Sequence, residues 1–201
     1  MSDLKILSSE KRYSGRVFNL VVDAIEYPSG NRGIREIADH PGGAVAVPVF
    51  ENGDLLLIHH FRYPVQQRLF ELPAGKLDPG EDPRQCVTRE LEEETGYLAG
   101  SIEKLTSIYT TPGFCNERLH LFLASDLKQS PAGRKLEEGE VGMTLHRTPF
   151  PDAIRMIQTG EIVDAKTICG ILIAERILNK PATGQSSETN HRVERPSGEQ
   201  R

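Results

Sequence analysis

The chain has 201 residues, 37% hydrophobic and 26% charged, a composition that supports a packed core and excludes a disordered polymer. Lysine and arginine number 24 against 29 acids, a net charge of −5, so the clustered positive charge that nucleic acid requires is not expected. No stretch approaches the roughly 18 apolar residues of a bilayer span, and nothing near Met1 has the layout of a secretory signal, so neither membrane nor export is expected. The three cysteines, Cys86, Cys115 and Cys169, show no C-x-x-C spacing and suit a reducing compartment, which makes the expected location cytoplasmic.

In chain order, residues 1–40 read as a small β-rich N-terminal element. Residues 17–27 are apolar and β-branched at many positions, Pro28-Ser29-Gly30-Asn31 is a turn cluster, and 33–38 resumes an extended pattern. About three strands cannot bury both faces alone, so they are expected to pack on the main domain or on a second subunit. The main domain is expected over 41–180. Its first strands, 44–50 and 54–61, are joined by Glu51-Asn52-Gly53, which predicts a hairpin, and their largely apolar runs suit strands covered on two sides. Asp82 and Pro83 open a helix that Gly96 closes, with Val87 and Leu91 facing the core. Further strands are expected at 104–109, 118–124 and 141–146, and helices at 151–158 and 166–178. Residues 181–201 are polar and charged, with Val193 their only large aliphatic, and are expected to be a disordered tail.

On the 82–96 helix, Glu90, Glu93 and Glu94 stand at i, i+3 and i+4, so their carboxylates share one face. Such spacing is unfavourable by a few tenths of a kcal/mol per pair even in water. It fits either a solvated acidic face or a hard divalent cation, Mg2+ or Mn2+, with oxygen ligands. The wider pattern decides between these readings. From Gly75 the chain reads G-x5-E-x7-R-E-U-x-E-E-x-G-U, with U a bulky hydrophobic, through Glu81, Arg89, Glu90, Glu93, Glu94 and Gly96 to Tyr97. Seven fixed residues at this spacing arise by accident in about one chain in a million or fewer.

This run resembles the signature box of the Nudix hydrolases. The resemblance implies an α/β fold, a mixed-sheet α/β/α sandwich, and hydrolysis of a nucleoside diphosphate linked to another moiety. It also implies that Glu90 and Glu94 ligate the metal, with Glu93 and the Ala74 carbonyl contributing. Gly75, Glu81 and Arg89 would shape and orient the loop and helix.

Two features outside the box resemble the ADP-ribose pyrophosphatase subfamily. One is Tyr109-Thr110-Thr111-Pro112-Gly113-Phe114 with Glu117, in which Pro112 lies sixteen residues beyond Gly96. The other is the N-terminal element with Arg35, together with Phe61-Arg62-Tyr63-Pro64 before the box. By resemblance the chain is a homodimer that binds substrate across its N-terminal strands. Arg35 and Arg62 would contact the nucleotide or its phosphates, a role that suits guanidinium geometry. Thr111, Gly113 and Glu117 would hold the ribose end, while Phe114 reads as a packing plug or a base stack. In the acidic run 136–140, Glu140 is the first choice and Glu138 the second for a catalytic carboxylate, with Glu93 a further candidate in the box. His59, His60 and Cys115 make no nucleophilic set with a base.

The expected activity is Mg2+-dependent hydrolysis of the ADP-ribose diphosphate bond to AMP and ribose 5-phosphate. The alternatives are another nucleotide sugar such as GDP-mannose, or a Nudix-fold ligand sensor without catalysis.

Overall fold

The computed structural model describes residues 4–179; the tail expected at 181–201 lies outside them. The strands are β1 (Lys5–Ser14), β2 (Asn19–Glu26), β3 (Arg32–Asp39), β4 (Gly43–Pro48), β5 (Asp54–Arg62), β6 (Gln67–Glu71), β7 (Ala74–Lys76), β8 (Tyr97–Tyr109), β9 (Arg118–Gln129) and β10 (Thr144–Pro149). The helices are α1 (Pro83–Thr95), α2 (Phe150–Thr159) and α3 (Ala165–Leu178).

The centre is a mixed sheet in the order β7-β4-β9-β8, in which β4 and β9 run parallel from Gly43↔Leu119 to Pro48↔Ala124. Side chains alternate across a strand, and β4 divides its residues accordingly. Val45 and Val47 enter one core with Leu57, Leu72, Leu121, Ile171 and Ala174. Ala44 and Ala46 enter a second core with Cys86, Val87, Leu91, Ile102 and Phe122. The first core is roofed by α2 and α3 and the second by α1, which makes the sandwich α/β/α. The alanines on the α1 side keep that helix close to β4. A second sheet, β10-β5-β6, is antiparallel. No described helix is long and apolar enough to cross a membrane.

The expected hairpin at 51–53 is corrected by this topology. The turn exists, with Phe50 N–H on Asp54 O and Gly53 N–H on Phe50 O, both 2.8 Å, but β4 and β5 separate after one bridge, Val49↔Leu55. Pro48 has no N–H to extend a ladder. In addition, β4 pairs with β9 along its whole length and β5 with β10 from Asp54 to His59, and beyond that one bridge the two strands belong to different sheets.

Other bounds also shift. β8 starts at Tyr97, immediately after α1, rather than at 104, and β10 starts at 144 rather than 141 because residues 138–140 form a 3-10 turn. β1, β6 and β7 carry no alternation strong enough to mark them individually. β1-β2-β3 form a separate antiparallel sheet. It meets the rest of the chain chiefly at the end of β3, where Ala38 N–H donates to Phe114 O at 2.8 Å and Asn116 donates to Asp39 at 2.7 Å. Every residue of β1 is exposed, and Ile6, Val17 and Ile34 are 62%, 63% and 59% exposed.

Candidate active site

Helix α1 is set at both ends by local chemistry. Asp82 Oδ1 accepts the Arg84 N–H at 2.8 Å, Pro83 occupies the first turn, and Gly96 closes the helix at φ 74° with its N–H on Glu92 O at 2.7 Å. Cys86, Val87 and Leu91 hold one face against the second core. That rotation leaves Glu93 partly exposed and turns Glu90 and Glu94 inward, Glu94 to only 3% exposure.

Strand β7 runs beside them. Ala74 N–H donates to Glu94 Oε2 at 2.9 Å. A Cβ built on Gly75 would overlap the Glu90 carboxyl, which explains why this position is glycine: the carboxyl lies directly on its Cα. Arg89 bridges the acids. It grips Glu81 with Nε and Nη2, both at 3.1 Å, and reaches Glu90 at 2.7 Å and Glu93 at 3.1 Å through Nη1. Arg89 holds the Glu81 carboxyl below its ordinary range.

The inner carboxyls move the other way. Burial raises Glu90, and Glu93 and Glu140 add repulsion, while Arg89 offsets part of the effect. Burial pushes Glu94 up to about 8; the Ala74 N–H opposes this, and Glu140 and Glu90 reinforce it. Among the described residues no three His, Cys, Asp or Glu side chains are already gathered as a metal cluster. Mg2+ nonetheless needs only one or two carboxylates alongside waters and substrate phosphates. Glu94 is buried and Glu90 largely so; both are hard-oxygen donors that repel each other, and a divalent cation between them would favour their charged forms. On that chemistry the donor set fits the ion.

A cleft of about 400 Å3 opens beside β7. It brings together Ala74, Gly75, Arg62, Thr111 and Glu117, and adds His40, Lys76, Thr110, Asp164 and Lys166. Thr110 Oγ1 donates to Glu117 at 2.9 Å, and His40 Nδ1 lies 3.3 Å from the other carboxylate oxygen. Arg62 is engaged in a fork to Glu71, Nε–Oε1 2.7 Å and Nη2–Oε2 2.8 Å. Glu71 is 1% exposed. Burial alone would raise its carboxyl, but Arg62 and Lys166 outweigh burial and hold it at about 2. A larger depression of about 730 Å3 between Phe50, Asp126 and Arg147 contains none of the box residues.

Of the substrate contacts expected from sequence, Gly113, Arg35 and Phe114 do not line this cleft. Gly113 stands at the tip of its loop with open space around it. Arg35 lies on β3, donating to Tyr27 OH and to Ile34 O at 2.9 Å, with its guanidinium 5.6 Å from the Tyr27 ring centre. Phe114 is 60% exposed, so it is not a packing plug. Glu138 and Glu140 share the 3-10 turn. Glu138 is exposed, whereas the charge of Glu140 is felt by both Glu90 and Glu94. The Glu140 carboxylate accepts the Glu137 N–H at 2.9 Å. Nearby, His60 Nε2 donates to Gly139 O at 3.0 Å and Arg68 donates to Gly142 O at 3.0 Å.

Sequence reasoning missed Glu71, Asp164, Lys166 and His40. Glu71 had a signal, since a lone acid inside Leu69-Phe70-Glu71-Leu72-Pro73 is buried and must be paired. Its second partner, Lys166, had none.

Comparison with known proteins agrees with this geometry. The NUDIX domain model matches residues 40–167. An ADP-ribose pyrophosphatase of Bacillus subtilis is 40% identical over 167 residues, covering 83% of this chain and 90% of that protein. An ADP-ribose pyrophosphatase of Mycobacterium tuberculosis is 33% identical over 197 residues, 97% and 94% of the two chains. The crystal structure of an ADP compounds hydrolase superposes with a TM-score of 0.77 at 20% identity, covering 89% of this chain and 95% of that one, which establishes the shared fold. Box, fold and similarity along the chain lead to one conclusion: the protein belongs to the Nudix hydrolase family, in its ADP-ribose pyrophosphatase-like branch.

Proposed function

We propose that this protein hydrolyses the diphosphate bond of ADP-ribose to AMP and ribose 5-phosphate, with Mg2+ as its ion and Mn2+ as a substitute. The observation that carries this reading is the continuity of the site: β7 presents Ala74 and Gly75 at once to the box carboxylates and to a cleft containing Arg62, Thr111 and Glu117. In this reading Glu90, Glu94 and the Ala74 carbonyl hold the ion. When bound, it neutralises the diphosphate oxygens and lowers the pKa of the attacking water. Arg62 binds a phosphate oxygen through the guanidinium edge not engaged by Glu71. Thr111 and Glu117 orient the terminal ribose. Glu140 takes the water's proton on its carboxylate, assigned over Glu138 because its charge reaches Glu90 and Glu94. Arg89 and Glu81 keep the helix and loop in register.

Residues 1–40 act as a dimerisation element of a cytoplasmic homodimer. The support is a β1 exposed along its whole length and apolar side chains open to solvent, a surface that a second copy would cover. Arg35, which lies off the cleft of its own chain, would then serve the partner's. The test is a panel of ADP-ribose, ADP-glucose, GDP-mannose and nucleoside triphosphates with Mg2+, the products separated by chromatography. AMP from ADP-ribose, stopped by a chelator, is expected. ADP-ribose recovered intact, or triphosphates consumed in preference, would overturn the reading.

A further inference from the structure

The turn that opens α3 lies far from the box in sequence, yet it holds the segment between Arg62 and β7. Thr167 is fully buried; its hydroxyl donates to Asp164 Oδ2 at 2.6 Å and accepts the Leu72 N–H at 2.9 Å. The same Asp164 oxygen accepts the Thr167 N–H and the Lys166 ammonium, each at 3.0 Å. Lys166 also donates to Glu71 Oε2, the oxygen that accepts Arg62 Nη2. Two adjacent residues, Glu71 and Leu72, are thus tied to two adjacent residues, Lys166 and Thr167. Pro73 follows, with its carbonyl on Ala46 N–H at 2.9 Å, and then Ala74, whose N–H is on Glu94.

The charges in this network cancel: Arg62 and Lys166 are positive, Glu71 and Asp164 negative. Glu71 and Thr167 are buried and the other members partly so, and removing one member of such a network leaves a charge without its partner. Its geometry has consequences at two points of the site. Glu71 fixes the plane of the Arg62 guanidinium, and Leu72 fixes the start of the Pro73–Ala74 run that positions Glu94.

We propose that the Asp164–Thr167 turn is a positioning element of the active site, in which Lys166 aligns Arg62 through Glu71 and Thr167 aligns the metal-side strand through Leu72. This rests on the hydrolase reading above. Neither residue touches substrate in the scheme; both act through the groups they hold, as partners of first ligands do in metal sites.

Four variants test it. Lys166→Met keeps the side-chain length and removes the ammonium, and Lys166→Arg restores a cation. Thr167→Val keeps the shape and removes the hydroxyl, and Thr167→Ser restores it. Each is measured for kcat and KM on ADP-ribose, and for Mn2+ affinity by the electron paramagnetic resonance of the free ion. Lys166→Met is expected to raise KM roughly tenfold with a smaller effect on kcat, since a displaced Arg62 loses ground-state binding. Thr167→Val is expected to weaken Mn2+ binding by about 10- to 100-fold. Arginine and serine should each recover most of the loss. A melting temperature lowered while KM and Mn2+ affinity stay within about twofold of the parent would reduce the turn to a structural tie and overturn the proposal. If the parent left ADP-ribose intact, the hydrolase reading would fall, and Mn2+ affinity in Thr167→Val against Thr167→Ser would still decide the positioning role.

Discussion

Glu94→Gln separates what the site does for catalysis from what it costs the fold. Glu94 is 3% exposed, and burial, ahead of the charges of Glu140 and Glu90, pushes its carboxyl up to about 8 from an ordinary 4.5. Without metal, the folded chain holds a proton that the unfolded chain releases between these two values. The unfolded state therefore binds fewer protons in that window, and stability falls as pH rises from 4.5 to 8, then levels off. At pH 7 the loss amounts to roughly 3 kcal/mol, at about 1.4 kcal/mol per pH unit above the ordinary value. Glutamine keeps the shape and an acceptor for the Ala74 N–H, but it has no charge to desolvate. Glu90 is raised in the same direction and is present in both proteins, so the difference between them reads the Glu94 charge together with its repulsion from Glu90.

In a chelator at pH 7 to 8 the variant should be more stable than the parent by about 1–3 kcal/mol, or roughly 2–12 °C in melting temperature for a chain of this size. The advantage should vanish near pH 5. With Mg2+ the order should close or reverse, because only the parent gains stabilisation from a tightly bound ion, and turnover in the variant should fall at least about a hundredfold. Calorimetric melting from pH 5 to 8.5, with chelator and with Mg2+, reads all of this. A variant that melts at or below the parent in chelator at pH 7.5 would refute the burial argument. Undiminished turnover would refute the metal assignment.

Gly75→Ala should lose most Mg2+-dependent activity in the same panel assay, because the added methyl overlaps the Glu90 carboxyl; near-normal activity would show that this carboxyl moves freely. Glu140→Gln should lower kcat by about 100-fold or more if its carboxylate takes the water's proton, with Glu138→Gln close to the parent. The reverse order, read from single-turnover rates, would exchange their roles. Sedimentation at micromolar concentration should give a dimer of 22.4 kDa chains, and deleting residues 1–40 should abolish dimer and ADP-ribose affinity together. A monomer that hydrolyses ADP-ribose would refute the shared-site reading.

The sequence alone determined the parts of this protein whose causes are local. Asp82, Pro83 and Gly96 act on backbone groups within one turn of themselves, so both ends of α1 could be read directly. The 3.6-residue period then placed Val87 and Leu91 inward and grouped Glu90, Glu93 and Glu94 on one helix, while the spacing from Gly75 to Tyr97 identified the family. Only the tertiary structure decided which strands share a sheet. The turn at 51–53 is a sound hairpin signal, but only one bridge follows it, because β4 continues into the sheet of β7 and β9 and β5 into the sheet of β6 and β10. The structure alone also showed that the Arg62 fork faces Glu71 and that Lys166 and Thr167 reach back 95 positions to Glu71 and Leu72. Pairings of this range leave no periodicity or spacing in the chain, because which buried charge meets which depends on how the sheets stack. A lone acid in an apolar run tells that it must have a partner, and only the packed fold tells which one.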